Sequence, residues 1–329
     1  MSTASLGTDT VAALVEEAGL APSMHNAQPW MFRYLSDRGT MQLRGDRGRL
    51  MERSDPQNRA LHLGCGAALF NLRVAAARIG REAATSLLPA PDDPWLLAEV
   101  RLDPAARRDV DLAALHPAIR RRHTSRHPFT GEPVPEAVLN ELREAALLEG
   151  ARLHVPDDWH LQELLNLTHD AQRREALHPE VLEELARWTR TSPEDTTTQG
   201  EGIPARAFGP RQHDVTAPVR DFSAGRPVPG RDTATFEQQP YLVLLGTAND
   251  GPEDWLRAGQ AMERVLLRAT LDGLACSLTS QALEWPELRW VVRDPLSAMG
   301  FVQMVIRVGY GPAGHSTPRR PVRDVLEIV

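Results

Sequence analysis

A chain of 329 residues is long enough for two domains or for one duplicated unit. Apolar residues make up 42% and charged residues 25%, which leaves ample material for a core, and the net charge of −7 argues against a nucleic-acid partner, whose footprint is usually basic. All 37 basic residues are Arg, so any bound phosphate must be gripped by guanidinium groups, which can hold two oxygens at once.

In chain order, Thr8-Asp9-Thr10 offers an N-cap, and Val11, Leu14, Val15 and Ala18 recur at helical spacing until Gly19 and Pro22 end the pattern. Trp30 to Leu35 and Met41 to Leu43 alternate as strands around the turn Ser36-Asp37-Arg38-Gly39. Leu61 to Ile79 is apolar nearly all round, with Gly64, Gly66, Ala67 and Ala68 on one flank, and predicts a buried helix that approaches another closely. A strand is expected over Leu97 to Leu102. A second unit begins near Leu115, with a helix opening at Pro135, a strand from Arg152 to Val155 and a helical pattern from His160 to Ala186. Residues 189–239 are rich in Gly, Pro, Thr, Asp and Arg with little periodicity, the composition of a lid or binding loop. A buried strand follows over Tyr241 to Gly246, then a helix from Trp255 to Asp272 ended by Gly273, and a strand from Phe301 to Val308.

Gly66 and Gly80 bracket the first buried helix at the same spacing as Gly259 and Gly273 bracket the second. This predicts a degenerate internal duplication, with an N-terminal half over 1–114 and a C-terminal half over 115–329. Cys65 in GCGAAL and Cys276 in GLACSL read as buried free thiols in a reducing compartment. The polar N-terminus carries no leader pattern and no apolar run approaches the ~18 residues of a membrane span, so a cytoplasmic protein with no membrane partner is expected.

Two stretches carry the chemistry. Pro22-Ser23-Met24-His25-Asn26-Ala27-Gln28-Pro29-Trp30 resembles the P-S-x-x-N-x-Q-P-W loop of the FMN-dependent nitroreductase family. Arg122-His123-Thr124-Ser125-Arg126-His127-Pro128-Phe129 resembles the R-x-[ST]-x-R-x-F segment that opens the chain in that family, but here it comes second. The first half lacks an R-x-S-x-R segment and a C-terminal Gly-plus-basic segment. The second half keeps both, the latter in Gly309-Tyr310-Gly311 and Arg319-Arg320, and lacks the Asn and Gln of the first loop. The losses are complementary and imply one flavin site per chain, as in the Acg-like fused members of the family.

The resemblance implies an α+β nitroreductase-like fold of two tandem degenerate halves forming an intramolecular pseudo-dimer, with mostly antiparallel sheets flanked by helices. It implies FMN as cofactor, held by Pro22, Ser23, Met24, Asn26, Gln28, Arg122, His123, Thr124, Arg126, Thr279, Ser280, Gln281, Arg319 and Arg320. Arg122, Arg126 and one or both of Arg319 and Arg320 are the expected phosphate grip, Ser23 and Asn26 can reach the ring edge or ribityl chain, and Pro22 and Pro29 stiffen the loop. Taken alone, the Arg120 to Arg126 run reads as a solvated basic stretch; beside the other two segments it reads as part of one site. Trp30 reads as a core anchor, Gln28 as a ligand or a cap on the following strand, and Ser280 and Gln281 as contributors of side chain or of backbone alone.

Two patterns are set aside. Gly309 to Gly314 fits G-x-G-x-x-G, but no helix opens after it. His116, His123 and His127 lie among Arg120, Arg121, Arg122 and Arg126, which repel a cation, so no metal is expected there. The expected activity is NAD(P)H-dependent reduction of a nitro, quinone or similar small-molecule acceptor, by a monomer or a homodimer, with no catalytic side chain assigned. The alternative is a protein that stores or sequesters FMN beneath a closed segment 189–239.

Overall fold

The structure, a computed structural model, describes residues 6–191, 200–214, 216–294 and 299–329. The first half runs α1 (Thr8–Ala18), β1 (Trp30–Leu35), β2 (Thr40–Gly45), α2 (Arg59–Arg78), β3 (Arg81–Leu87), β4 (Leu96–Pro104) and the short α3 (Val110–Ala114) and α4 (His116–Ile119). The second runs α5 (Glu136–Leu148), β5 (Arg152–His154), α6 (Asp158–Leu177) and α7 (Pro179–Arg187). Four two-residue strands follow, β6 (Thr189–Arg190), β7 (Ile203–Pro204), β8 (Arg211–Gln212) and β9 (Thr233–Ala234). The chain closes with β10 (Leu242–Thr247), α8 (Pro252–Leu271), β11 (Ala275–Thr279), α9 (Pro286–Val291), β12 (Phe301–Gly309) and β13 (Leu326–Ile328).

Two main sheets carry nine of the strands, while β6–β7 and β8–β9 form two small parallel pairs of their own. The first has the order β13-β1-β2-β4-β3 and the second β11-β12-β10-β5; within them only the β1–β13 pairing is parallel. The chain's last strand therefore completes the first half's sheet, with Phe32 opposite Leu326 and Tyr34 opposite Ile328. Between the sheets lie α2 and α8, which share one apolar core cluster through Leu63, Ala67, Leu256, Met262 and Val265.

The close helix approach expected from the small flank of α2 occurs at Gly66 and Gly259. A Cβ on Gly259 would fall on the Leu63 carbonyl oxygen, and one on Gly66 would fall on the Leu256 carbonyl oxygen. Gly259→Ala is therefore expected to cost about 1–3 kcal/mol, because a backbone-to-backbone contact cannot relax by rotating a side chain. A lowered urea midpoint at unchanged m-value checks this. After each of the two helices a left-handed glycine turns the chain into a strand, Gly80 (φ 73°) before β3 and Gly273 (φ 77°) before β11. The bracketing glycines seen in the sequence thus do equivalent work in the two halves.

Several expectations need correction. The single helix expected over His160 to Ala186 is two, because His178 (φ −116°, ψ 91°) leaves helical geometry immediately before Pro179. The strands β3, β11 and β13 were not foreseen. α2 is long and apolar enough to cross a membrane by length and composition, contrary to the reading of the sequence, but 89% of its apolar window is buried in the protein. Of the expected lid segment 189–239, residues 192–199 and 215 lie outside the described residues. The remainder builds its own small core, with Ile203, Ala207, Phe208, Phe222 and Val228 packed on Leu185. Cys65 and Cys276 are buried and unpaired, and burial pushes the Cys276 thiol up to about 12.

Candidate functional site

The loop 22–30 is unusually contorted. His25, Asn26 and Gln28 all adopt left-handed backbone (φ 50°, 56° and 53°), where side chains cost free energy and are kept only when surroundings over-determine them. Those surroundings are visible. The Gln28 amide N–H donates to Ser23 Oγ (2.9 Å), and the Gln28 side chain donates to the Gly200 carbonyl (2.6 Å) and accepts from the Arg320 amide (2.8 Å). Asn26 Nδ2 donates to the Gly202 and Pro318 carbonyls, while its Oδ1 accepts from Arg319 (3.0 Å). The loop is thereby riveted to both the 200–202 segment and the C-terminal segment.

The segment 122–126 is extended along the edge of β11, with Thr124 bridged to Cys276 and the Ser125 amide donating to the Cys276 carbonyl (2.8 Å). Alternate residues of an extended chain share a face, so Arg122, Thr124 and Arg126 form a strip roughly 13 Å long at ~3.3 Å per residue. The glycines of the G-x-G-x-x-G pattern explain themselves here. A Cβ at Gly311 would press on Phe129 and one at Gly314 would fall on the Thr124 carbonyl, so these glycines let the C-terminal segment lie directly on the strip.

Between these segments lies a cavity of about 330 Å³, in the range of small-molecule and cofactor sites. Of the residues expected at the site, Pro22, Ser23, Met24, Asn26, Arg122, His123, Thr124, Arg126, Ser280, Gln281 and Arg319 line it. Gln28, Thr279 and Arg320 do not. Gln28 is a rivet as described, Thr279 Oγ1 donates to the Pro218 carbonyl (2.7 Å), and Arg320 pairs with Asp46 (3.0 Å). His116, His123 and His127 do not converge; His116 meets Glu17 (3.0 Å) and His127 packs on His315.

The cavity's charges fall into two groups. At one end Arg122 and Arg319 both donate to the Leu20 carbonyl (3.1 and 3.0 Å), with His123 beside them. Arg319 gives all five N–H groups to acceptors of the chain, including the Gly19 and Ala21 carbonyls, so it supplies charge and rigidity rather than a spare donor. Burial, then Arg122, lowers its pKa to about 9. Arg122 faces the wholly buried Glu263 (3.4 Å), whose carboxyl burial raises to about 7. Toward the other end Arg126 donates to the Ala207 carbonyl (2.8 Å) and lies over Phe222. Among the described residues no carboxylate pairs with Arg126, and burial, then Arg220, lowers its pKa to about 10.

Several lining residues were missed from the sequence. Arg220 and Phe222 come from the 200–240 segment; Arg220 binds both oxygens of Glu284 (2.7 Å each) and lies 3.3 Å from His25 Nε2. Burial, Arg220 and Arg126 together hold His25 well below the usual imidazole range. Asp55, Arg59 and Arg289 form a further wall, with the Asp55 carboxyl pushed by burial to about 6. Arg220 is one of six Arg residues in the 189–239 stretch, so nothing local singles it out, and the others carry no signal either.

Glu263 gives a pH dependence with a definite sign. A carboxyl raised from its usual 4.5 to about 7 stabilises the fold below pH ~4.5, and that contribution is lost as pH rises through ~7. Buried histidines act in the opposite direction, so the comparison must be with Glu263→Gln. The variant's stability relative to wild type is expected to improve from pH 5 to about 7 and then level off, read as the difference in urea midpoints. A constant difference across that range would contradict it.

The nitroreductase family model matches residues 119–310. A Mycobacterium tuberculosis (strain ATCC 25618 / H37Rv) protein named "Putative NAD(P)H nitroreductase Rv3131" is 32% identical, covering 97% of this chain and 91% of its own. A second from the same strain, "Putative NAD(P)H nitroreductase acg", is 30% identical over 98% of this chain and 96% of its own. Among solved structures, the FMN and NADPH-dependent nitroreductase NfnB from sphigopyxis sp. strain HMH is 16% identical with a TM-score of 0.39, covering 65% of this chain and 97% of that one. The chain belongs to the nitroreductase family.

Proposed function

We propose that the protein is an FMN-dependent oxidoreductase that takes reducing equivalents from NADH or NADPH and passes them to a nitro compound, a quinone or a similar acceptor. The observation that carries this reading is the cavity itself, lined by the complementary segments of both halves and holding the half-buried cation Arg126, which no carboxylate among the described residues pairs with. A guanidinium held out of bulk water with only one carbonyl partner is costly unless an electron-rich ligand meets its remaining N–H groups. Gln281 Nε2, buried and without an acceptor, is a second donor suited to such a ligand.

The residues present fit FMN. Arg122 and His123, backed by the charge of Arg319, would hold the phosphate, and Thr124 would donate to the adjoining chain. Arg126 and Gln281 would meet the polar edge of the ring, and Pro22, Ser23 and Met24 would pack along it. When bound, FMN would supply two-electron transfer; the chain's part is to position it and exclude water. The Asp55 carboxyl lines the same cavity, and its two oxygens accept from the Ala60 and Leu61 amides, so it braces the start of α2 at the cavity wall.

The second reading, storage of FMN, is favoured by one observation. The 200–240 segment is fastened across the cavity by the Arg220–Glu284 pair and turns its own Ile203 and Phe222 into the cavity lining, as a lid would. Anaerobic mixing of the FMN-loaded protein with NADH or NADPH separates the two. Rapid loss of the oxidised flavin absorbance is expected for the enzyme; a flavin that stays oxidised for minutes would favour storage.

A further inference from the structure

We propose that His154, His160 and Asp294 form a site for a divalent transition metal of the zinc class, separate from the flavin cavity. The three come from distant parts of the chain. His154 closes β5 at the edge of the second sheet, His160 lies in the first turn of α6, and Asp294 follows α9. One ligating atom from each lies within 4.8 Å of the other two, and His154 Nε2 is 3.0 Å from an Asp294 carboxylate oxygen.

The decisive feature is the orientation of His160, which is 3% exposed. Its Nε2 lies 3.0 Å from the Val292 carbonyl oxygen, which can only accept, so Nε2 carries the proton and donates. In that tautomer Nδ1 presents a bare lone pair, and Nδ1 is buried without a hydrogen-bond partner. A simple His154–Asp294 ion pair accounts for two of the three groups and leaves this lone pair unsatisfied, which costs free energy. An imidazole anchored through one nitrogen to a backbone carbonyl while offering the other is how metal-binding histidines are oriented.

Two imidazole nitrogens and one carboxylate oxygen suit Zn²⁺ and its first-row neighbours, whereas Mg²⁺ and Ca²⁺ prefer all-oxygen shells. His154 is one-third exposed (33%), which leaves room for water as a fourth ligand. Ligands on a tetrahedral Zn²⁺ lie roughly 3.4 Å apart, so the widest gap, which is within 4.8 Å, must shorten by at most about 1.4 Å. Rotation of the partly exposed His154 side chain can supply this. The consequence reaches the main cavity. Asp294 is joined to α9, whose Arg289 and Trp290, with the following Arg293, wall that cavity. A metal here would clamp that wall to β5 and α6.

The test is Zn²⁺ titration of the full-length purified protein against a chromophoric chelator, beside thermal unfolding at increasing Zn²⁺. One Zn²⁺ per chain is expected, with a thermal midpoint that rises with Zn²⁺ and not with Mg²⁺. His154→Gln and the isosteric Asp294→Asn should each weaken binding at least tenfold and abolish the thermal response. His213→Gln, at an exposed histidine elsewhere, should change neither. Absence of saturable binding at micromolar Zn²⁺, or equal affinity in wild type and both site variants, would overturn the proposal.

Discussion

Replacing Arg122 by Ala is expected to weaken FMN binding at least tenfold while leaving riboflavin binding nearly unchanged. A phosphate dianion needs more than one positive charge, and Arg122 and Arg319 are close enough to share the Leu20 carbonyl. Arg319 has no spare N–H, so the direct contact falls to Arg122, whose Nε faces Glu263 and one of whose Nη groups donates to Leu20, which leaves its other Nη for the phosphate. A hydrogen bond to a charged group contributes about 1.5–3 kcal/mol, and each ~1.4 kcal/mol is tenfold in affinity. Arg126, at the other end of the strip, should behave differently. Arg126→Ala is expected to weaken FMN and riboflavin alike, because both carry the same ring. Removing Arg122 leaves Glu263 buried and unpaired, so the double variant R122A/E263Q guards against a loss that is merely structural. Equal weakening of both ligands by Arg122→Ala would place the phosphate elsewhere.

The second large effect belongs to Arg220. It bonds both oxygens of Glu284, lies 3.8 Å from Glu175 and holds the 200–240 segment to the 280–284 turn. All three side chains are at least seven-eighths buried. Breaking such a pair by removing one partner costs about 3–5 kcal/mol, because the orphaned carboxylates stay behind. Arg220→Ala is therefore expected to release the segment without unfolding the two sheets. Bound FMN should dissociate at least tenfold faster on dilution, and bulky acceptors should be reduced more readily. Replacing residues 203–228 by a short Gly/Ser linker should do the same. A folded, FMN-loaded Arg220→Ala protein with unchanged release rate would remove the case for a lid, and with it most of the case for storage.

The parts of this architecture legible in the sequence are those whose signal is local. α2 and α8 declare themselves by apolar periodicity and bracketing glycines, and β1, β2, β10 and β12 by β-branched, aromatic and alternating residues. β11 has four small or polar residues around the single large apolar Leu278, and its strand geometry comes from pairing with β12 rather than from propensity. β13 is three mostly exposed residues whose partner lies about 290 positions earlier. The candidate site divides in the same way. Arg122, Thr124 and Arg126 are visible as a strip because their spacing matches an extended chain, and Ser23 and Asn26 because the loop around them is distinctive. Gln28 and Arg320 have the right identity, yet their side chains brace the loop instead of lining the cavity. That follows from the left-handed backbone at Gln28, which the sequence does not announce. Arg220, Glu284, Asp55 and the His154–His160–Asp294 group depend on contacts between distant segments, so no local pattern exposes them.

The proposed function requires a single flavin per chain, held in the one cavity lined by the 22–26, 122–126 and C-terminal segments. Saturating the purified protein with FMN, removing unbound cofactor and measuring the flavin released by denaturation against protein concentration tests this most directly. One FMN per chain is expected, with release on dilution accelerated in Arg122→Ala. A ratio near two, or no retained flavin at micromolar FMN, would contradict it.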